Sequence, residues 1–464
     1  MPVNTAHPDY SNAMTRASLV KAAVSGLDEN NAEDYVAKRT GEEGEGGKAR
    51  YKSRIAKAIY TNYTKRTKSG LLGAIFRQPP QESLPDSISF ISENADGAGQ
   101  SLQQLAKSYI SAQLECGTIG VLVDYPAVDG VPTREQQRMM NLRPSLKSYG
   151  SESIINFKTE VRGGITVLSK VVLMETVEQD DEDEFSHDTD VQYRVLRLLE
   201  SGYTQQVYNS GGESIVEEFY PLDNSRKQFD HIPFYFIGSE NNLPGYNEPV
   251  LYDIAVVNIG HYRNSADWEN NLSVHSGGTI VLGTEQTDEE WKKANGDGEI
   301  LLGEGNGIRL SGQGAFAELL QLDSAQAIME EMKNKEQRMI QIGARIISKD
   351  KGENETAKAA SIRVSSENSI LDTMVGNVDE VINKALEDVM LFVGTTGEIE
   401  FSLNRDYWVD QLDPQLAMAL IQLHDINALP IADIIRHLQQ KDLIDKTMTI
   451  EQVQQIISEE SPIT

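Results

Sequence analysis

The stretch from Asp323 to Gly394 constrains this chain most, because it reads as two long helices joined by a loop that resists burial. The first pattern runs from Asp323 through Ser348, with Ile328, Met332, Met339, Ile342 and Ile346 on one stripe. The second runs from about Thr356 to Val393, carrying Leu371, Met374, Val378, Ile382, Ala385 and Val389. A continuous helix of that length spans roughly 55 Å at 1.5 Å per residue, more than an ordinary globular helix needs. Between them, Lys349 to Glu355 is polar and glycine-broken, so it should protrude. Gly376, in the middle of the second pattern, predicts a kink or a close helix crossing.

Length and charge narrow the class. A chain of 464 residues can build two to four domains and a sizeable core. Its 71 acidic and 42 basic residues give a net charge of −29, which favours solubility and repels nucleic acid at long range. Mean hydropathy is −0.41, so much of the chain faces water or polar partners. A single cysteine, Cys116, excludes an internal disulfide framework and a cysteine-based zinc site. No run approaches membrane-spanning length and the N-terminus lacks a signal pattern, so a soluble, cytoplasmically made protein is expected.

The N-terminal part holds a helical pattern from Met14 to Leu27, then a Gly- and Glu-rich run at 41–47 that reads as an exposed loop. From Lys48 to Arg77 the sign flips. Lys48, Arg50, Lys52, Arg54, Lys57, Lys65, Arg66, Lys68 and Arg77 occur with no acid among them, on helical spacing set by Ile55, Ile59, Leu72 and Ile75. Three readings fit: a phosphate-contacting helix, a basic face docking on an acidic surface of a neighbouring copy, or a solvated face. Ser101 to Cys116 reads as an amphipathic helix, followed by Gly117 and a buried strand over 120–125.

From Ser153 to Gly238 the period becomes two, with strands at 153–158, 165–177, 191–199, 203–208, 215–220 and 233–237 in one antiparallel region. Its longest turn, Glu175 to Asp190, is dense in acids but lacks the glycine and spacing of a calcium loop. Pro249 to Leu272 is helical. His261, Asp267 and Glu269 on it do not match a metal-binding helix. Short strands at 279–282, 299–302 and 307–310 follow, with the Gly303, Gly305, Gly307 cluster as a hairpin turn rather than a dinucleotide loop. A strand at 398–402 precedes three tail helices near 414–425, 430–441 and 449–459. Asp413–Pro414 and the Thr449/Gln452 capping box supply their start signals.

No nucleophile elbow, Ser/His/Asp set, phosphate loop or zinc spacing appears. Asp124 at a strand end is a candidate carboxylate without a companion at a telling spacing, so a structural role is expected. No enzymatic activity, metal or cofactor is expected, and assembly is the leading class.

Three segments carry a resemblance. The first comprises Tyr60, Asn62, Thr64, Arg66, Thr67, Gly70, Leu71, Gly73, Phe76, Arg77 and Pro80. The second runs from Pro249 and Leu251 to Ala255, then Asn258, His261, Tyr262, Arg263, Ser265, Ala266 and Asp267. The third is Asn354 to Ala357, continuing to Glu367, Asn368, Ser369 and Leu371. In this order they resemble one subfamily of tailed-bacteriophage portal proteins, the head-to-tail connector rings, and cover most of residues 50–395.

The resemblance implies an α+β, portal-like fold with long stem and tunnel helices, a β-rich wing and clip region and a helical C-terminal crown. The expected division is 1–150 as the N-terminal part of the wing and 151–245 as wing sheet and clip. Residues 246–275 form the stem helix. The span 276–410 returns to the wing with tunnel loop 349–355 and long helix 356–394, and 411–464 is the crown. The implied partners are further copies in a ring, typically a dodecamer, the major capsid protein, the terminase large subunit, a tail adaptor and double-stranded DNA passing without sequence specificity. The implied location is a capsid vertex of the virion.

Twelve copies at −29 each sum to roughly −350, so an acidic lumen repels DNA and keeps it from sticking. Lys349, Lys351 and Lys358 are then candidates for weak phosphate contacts in the DNA channel. Arg54, Lys57, Lys65, Arg66 and Arg77 become the candidate inter-subunit basic surface. Two rival classes remain: an acidic metal-dependent hydrolase, if Asp124 and Glu175 converge, and a nucleic-acid-binding module centred on 48–77.

Overall fold

The structure is a computed structural model. It describes residues 2–28, 30–126, 142–178, 185, 187–275, 279–283, 285, 287–295, 314–320, 325–343, 357–405, 407, 422, 429–440 and 448–460. Helices α1 (Tyr10–Ser25), α2 (Glu45–Lys57) and α3 (Tyr63–Ile75) lead into strand β1 (Gln81–Ser83), a single turn α4 (Phe90–Glu93) and helix α5 (Leu102–Cys116). Eight strands follow: β2 (Thr118–Asp124), β3 (Ser145–Gly150), β4 (Ile154–Arg162), β5 (Ile165–Glu178), β6 (Thr189–Leu199), β7 (Gly202–Asn209), β8 (Ser214–Phe219) and β9 (Phe234–Gly238). Helix α6 (Tyr252–His275), β10 (Thr279–Gly283), α7 (Asp288–Asn295), β11 (Phe316–Leu320) and α8 (Ala325–Ile342) precede the long α9 (Ala357–Val393). Strand β12 (Glu400–Ser402) and helices α10 (Ile431–Gln440) and α11 (Ile450–Glu460) complete the described elements. The fold is thus mixed helix and antiparallel sheet.

Local chemistry explains the clearest boundaries. Ser101 and Gln104 cap α5 reciprocally, and Gly117, at φ 76°, turns the chain sharply into β2. A Cβ on Gly117 would lie 2.1 Å from the Asn247 carbonyl oxygen, so only glycine fits there. Strand β2 is buried along nearly its whole length because it is the centre of the sheet β3-β2-β9. Strands β4 to β8 form a five-stranded antiparallel meander. Its first hairpin turns on Gly163 and Gly164, both at positive φ, as a two-residue turn matched to strand twist requires.

The alternating segments did become strands, with two differences. The last of them, β9, leaves the meander and pairs with β2, so the region is two sheets rather than one. The acidic turn is shorter than expected, since β5 runs to Glu178 and β6 starts at Thr189. Strand β10 pairs with β11, a strand the periodicity did not predict. The predicted strands at 299–302 and 307–310 lie outside the described residues. So do the Asp413–Pro414 pair and, apart from residue 422, the first tail helix. The other two tail helices are present, and Thr449 and Gln452 exchange their capping bonds at 2.8 and 3.3 Å.

The core gathers α1, α3, α5, α6, α9 and the β2 sheet. From Leu371 to Phe392, α9 buries Met374, Val378, Ile382, Ala385 and Val389, the stripe its periodicity predicts. The helix is continuous through Gly376. What approaches that glycine is the guanidinium of Arg405, 3.6 Å from where a Cβ would stand, on its way to Asp379 at 3.2 Å. A side chain, rather than a second helix, makes the close approach.

The C-terminal end of α9 is clasped from the 224–235 segment. The Asn224 N–H donates to the Leu391 carbonyl at 3.2 Å, and the Phe229 and Phe392 ring centroids are 4.6 Å apart. His231 lies 3.0 Å from Asp388 and 3.0 Å from Asp230, and Tyr235 donates to the other Asp388 oxygen at 2.7 Å. Hydrogen bonding to Asp388 outweighs burial and raises the His231 pKa to about 9. A raised imidazole pKa contributes stability that is fully present below about 6.5 and disappears as pH rises through about 9. His231→Gln is therefore expected to cost about 1–2 kcal/mol near neutral pH, a value kept low by the partial exposure of His231. The difference from the unmutated protein should vanish by about pH 10, as read from denaturant midpoints at the two pH values. A constant difference across that range would mean that the imidazole charge is not involved.

Candidate functional site

The basic stretch singled out in the sequence folds into α2 and α3. Asn62 caps α3 by accepting the Lys65 N–H at 2.7 Å. One face of the pair supplies Tyr51, Ile55, Leu71 and Ile75 to the core that also holds Leu251 and, on α6, Ile254, Ile259 and Tyr262. Helix α8 lies on α6 in the opposite direction. His261 meets Glu336 at 3.2 Å, Lys335 donates to the Gly260 carbonyl at 3.3 Å, and Gly343 sits against Ile254 and Thr67.

Asn258, fully buried, joins three turns of chain. Its side-chain oxygen accepts from the Thr64 N–H at 3.1 Å, the Thr64 hydroxyl at 3.0 Å and the Tyr60 hydroxyl at 3.2 Å. Its amide donates to the Thr61 carbonyl at 2.9 Å. Two helical turns away, Ser265 accepts the Ile59 N–H at 3.0 Å, and the Tyr60 and Tyr262 rings pack edge to face. The first two resemblance segments are thus interlocked in space.

Arg54 occupies the other node. It is 2% exposed and bonds both oxygens of Glu42, at 3.0 and 2.7 Å, together with Asp267 at 3.1 Å and the Ala37 carbonyl at 2.9 Å. The hydrogen bonds from Arg54 hold the Glu42 carboxyl below its usual pKa. Arg54 therefore does not belong to an exposed basic surface, contrary to the sequence expectation. Acids from outside the 48–77 window fold back onto it, and Lys68 likewise pairs with Glu115. The 41–47 run also departs from the predicted exposed loop, since Glu42 is buried and α2 begins at Glu45. Lys57, Lys65 and Arg66 do lie exposed, as do Lys48, Arg50 and Lys52, while Arg77 is half-buried.

Burial lowers the His261 pKa despite Glu336 beside it. A neutral ring can then donate to that carboxylate only through Nε2, leaving Nδ1 as an acceptor. His261 faces Glu336 while Asp267 faces Arg54 and Arg39, so the helix does not assemble them as metal ligands. Among the described residues no group of three or more His, Cys, Asp and Glu is placed to hold a metal ion. None of their helices is long and apolar enough to cross a membrane.

Asp124 and Glu175 do converge, and Arg194 stands between them. Its guanidinium is 2.7 Å from Glu175 and 3.6 Å from Asp124. Burial pushes the Glu175 carboxyl up, but Arg194, Tyr149 and Gln192 together outweigh it and leave the pKa lowered. A neutralised, hydrogen-bonded carboxylate is a structural joint between β2 and the meander. Sequence spacing gave no sign of Arg194, which lies on another strand.

Lys349 and Lys351 lie outside the described residues, and Lys358 falls in the first turn of α9.

A model of a domain of unknown function, DUF4055, matches residues 250–393, the span from α6 to α9. No curated protein matches the chain. Among solved structures, a chain described as the neck of an empty GTA particle with C6 symmetry has 14% identity and a TM-score of 0.38. The match covers 79% of this chain and 86% of that one. A chain from the neck of a native GTA particle with C12 symmetry has 14% identity and a TM-score of 0.37, covering 80% and 86%.

Proposed function

We propose that this chain is a structural, non-enzymatic component of the head–tail neck of a phage-like particle, and within it a portal-type subunit that closes into a ring, typically of twelve copies. The observation that carries the reading is the interlocking of the resemblance residues. Tyr60 and Thr64 of the first segment meet Asn258 of the second at one buried hub, flanked by Tyr63 against His261 and by the Ile59 N–H on Ser265, rather than being scattered matches. In this reading α6 belongs to the stem, 246–275. The β-rich 151–245 region, with the meander, supplies wing sheet and clip, and the clip is the docking end for terminase and tail adaptor. The span 276–410 returns to the wing, and 411–464 is the crown.

Gly343, just past the end of α8, sits against Thr67, and the 349–355 loop would face passing DNA. Lys349, Lys351 and Lys358 would then line the constriction. The exposed Lys57, Lys65 and Arg66, with Arg77, would form the inter-subunit face, meeting acid on the next copy.

Electron microscopy of the purified protein, at low and high salt, tests this. Rings with a central hole are expected, and uniform monomers at every concentration and salt would reject the reading. The double variant Lys65→Glu, Arg66→Glu should keep its melting temperature, since both side chains are exposed. It should lower the ring fraction at least about tenfold at low salt, the equivalent of roughly 1.4 kcal/mol per contact.

A further inference from the structure

Among the described residues, strand β8 is the open edge of the meander. From Ser214 to Glu218 every residue is exposed, including Ile215 at 54%. An edge of this kind presents unpaired backbone N–H and C=O groups and is a template for another strand. Its side chains are apolar and acidic, with Ile215, Val216, Glu217 and Glu218 exposed, and Glu213 precedes it. Pairing of β8 with β8 of a second copy would set two acidic edges side by side with no basic edge to offset them.

The opposite edge, β4, is divided. Its first half is occupied by the chain itself. The His7 N–H donates to the Ile155 carbonyl at 2.9 Å, Asn156 donates to the Thr5 carbonyl at 2.8 Å, and Tyr246 donates to the Ile154 carbonyl. The second half ends in the exposed Lys158, Thr159 and Val161, and beyond the turn Ile165 is 69% exposed. Glu160 and Arg162 pair with one another, and Lys158 has no carboxylate partner among the described residues. One edge is therefore acidic and apolar, the other basic and apolar.

We infer that β8 of one copy is covered by the Lys158–Arg162 half of β4 from the next copy, joining the meanders of neighbouring subunits into one sheet. This rests on the ring reading. All four pairings within the meander are antiparallel, so the first and fifth strands run in the same direction. A head-to-tail contact, in which the β8 edge of each copy meets the β4 edge of the next, keeps this parallel sense.

The test uses the full chain, whose only native thiol, Cys116, is buried. Val161→Cys and Val216→Cys are introduced together and separately, and preformed rings are treated with a short bis-maleimide. The double variant should give a ladder of covalent multimers, and each single variant should stay at least about tenfold less linked. Intact rings with no ladder would overturn the inference while leaving the ring reading standing. Efficient dimers from Val216→Cys alone would overturn it in favour of β8 pairing with itself, and absence of rings in the unmutated protein would remove both. As a second measure, Ile215→Lys with Val216→Lys should leave the melting temperature unchanged and reduce the ring fraction about tenfold.

Discussion

Replacing Arg54 by alanine is expected to destabilise the protein by about 3–5 kcal/mol, because it strands Glu42 in a buried position without its partner. The loss is large for a specific reason. Glu42 keeps its charge through two hydrogen bonds from Arg54 and one from the Arg39 N–H. Removal of the guanidinium leaves the carboxylate to be protonated or rehydrated, and either outcome loosens the chain ahead of α2. Asp267 retains Arg39 and suffers less. In thermal unfolding this should appear as a fall of roughly 6–20 °C, at about 2–4 °C per kcal/mol for a large domain. The double variant Arg54→Ala, Glu42→Ala should recover part of the loss, since neither charge is then unpaired. A melting temperature within about 1 °C of the unmutated protein would show that the pair is not buried as described.

Asn258→Ala comes next, at about 2–4 kcal/mol. The amide holds two hydroxyls, one backbone N–H and one carbonyl, and alanine leaves the buried Thr64 N–H without a partner and the Thr61 carbonyl with only the Tyr63 N–H. The damage is local to the start of α3. Hydrogen exchange of the Thr64 amide should therefore accelerate far more than that of amides in α5, whose own cap is untouched. Equal acceleration in both helices would mean that Asn258 supports the whole core rather than this junction. Asn258→Asp keeps the acceptor but loses the donor to Thr61 and buries a charge, so it should be no better than alanine.

Much of this architecture could be read from spacing alone. The stripe from Leu371 to Val389 and the alternating strands from Ile154 to Phe219 are local patterns, and local patterns survive folding when one face is buried. Pairing partners are another matter. Nothing near Phe234–Gly238 says that it joins β2 rather than the neighbouring meander, and nothing near Thr279 points to Phe316–Leu320. The basic window shows the same limit for the site. Lys65 and Arg66 are exposed as their run of like charge suggests, but Arg54 sits three residues from Tyr51 on the inward side of α2. Its acids come from 12 and 213 residues away, which no window around it could contain. Asn258 stood among the residues that carried the resemblance, and its contacts to Thr64 give that pattern a physical reason.

The hub also sets a timetable for synthesis. Helices α1 to α3 are complete by residue 75, yet the helix they pack on ends at residue 275, about 200 residues later. At about 5–20 residues per second, a ribosome takes roughly 10–40 s to deliver it. During that interval Val20, Ala23, Leu71 and Ile75 have no α6 to close over them. The N-terminal segment is therefore born sticky, and nascent chains crowded on one message are at most risk of clumping before the hub can shut.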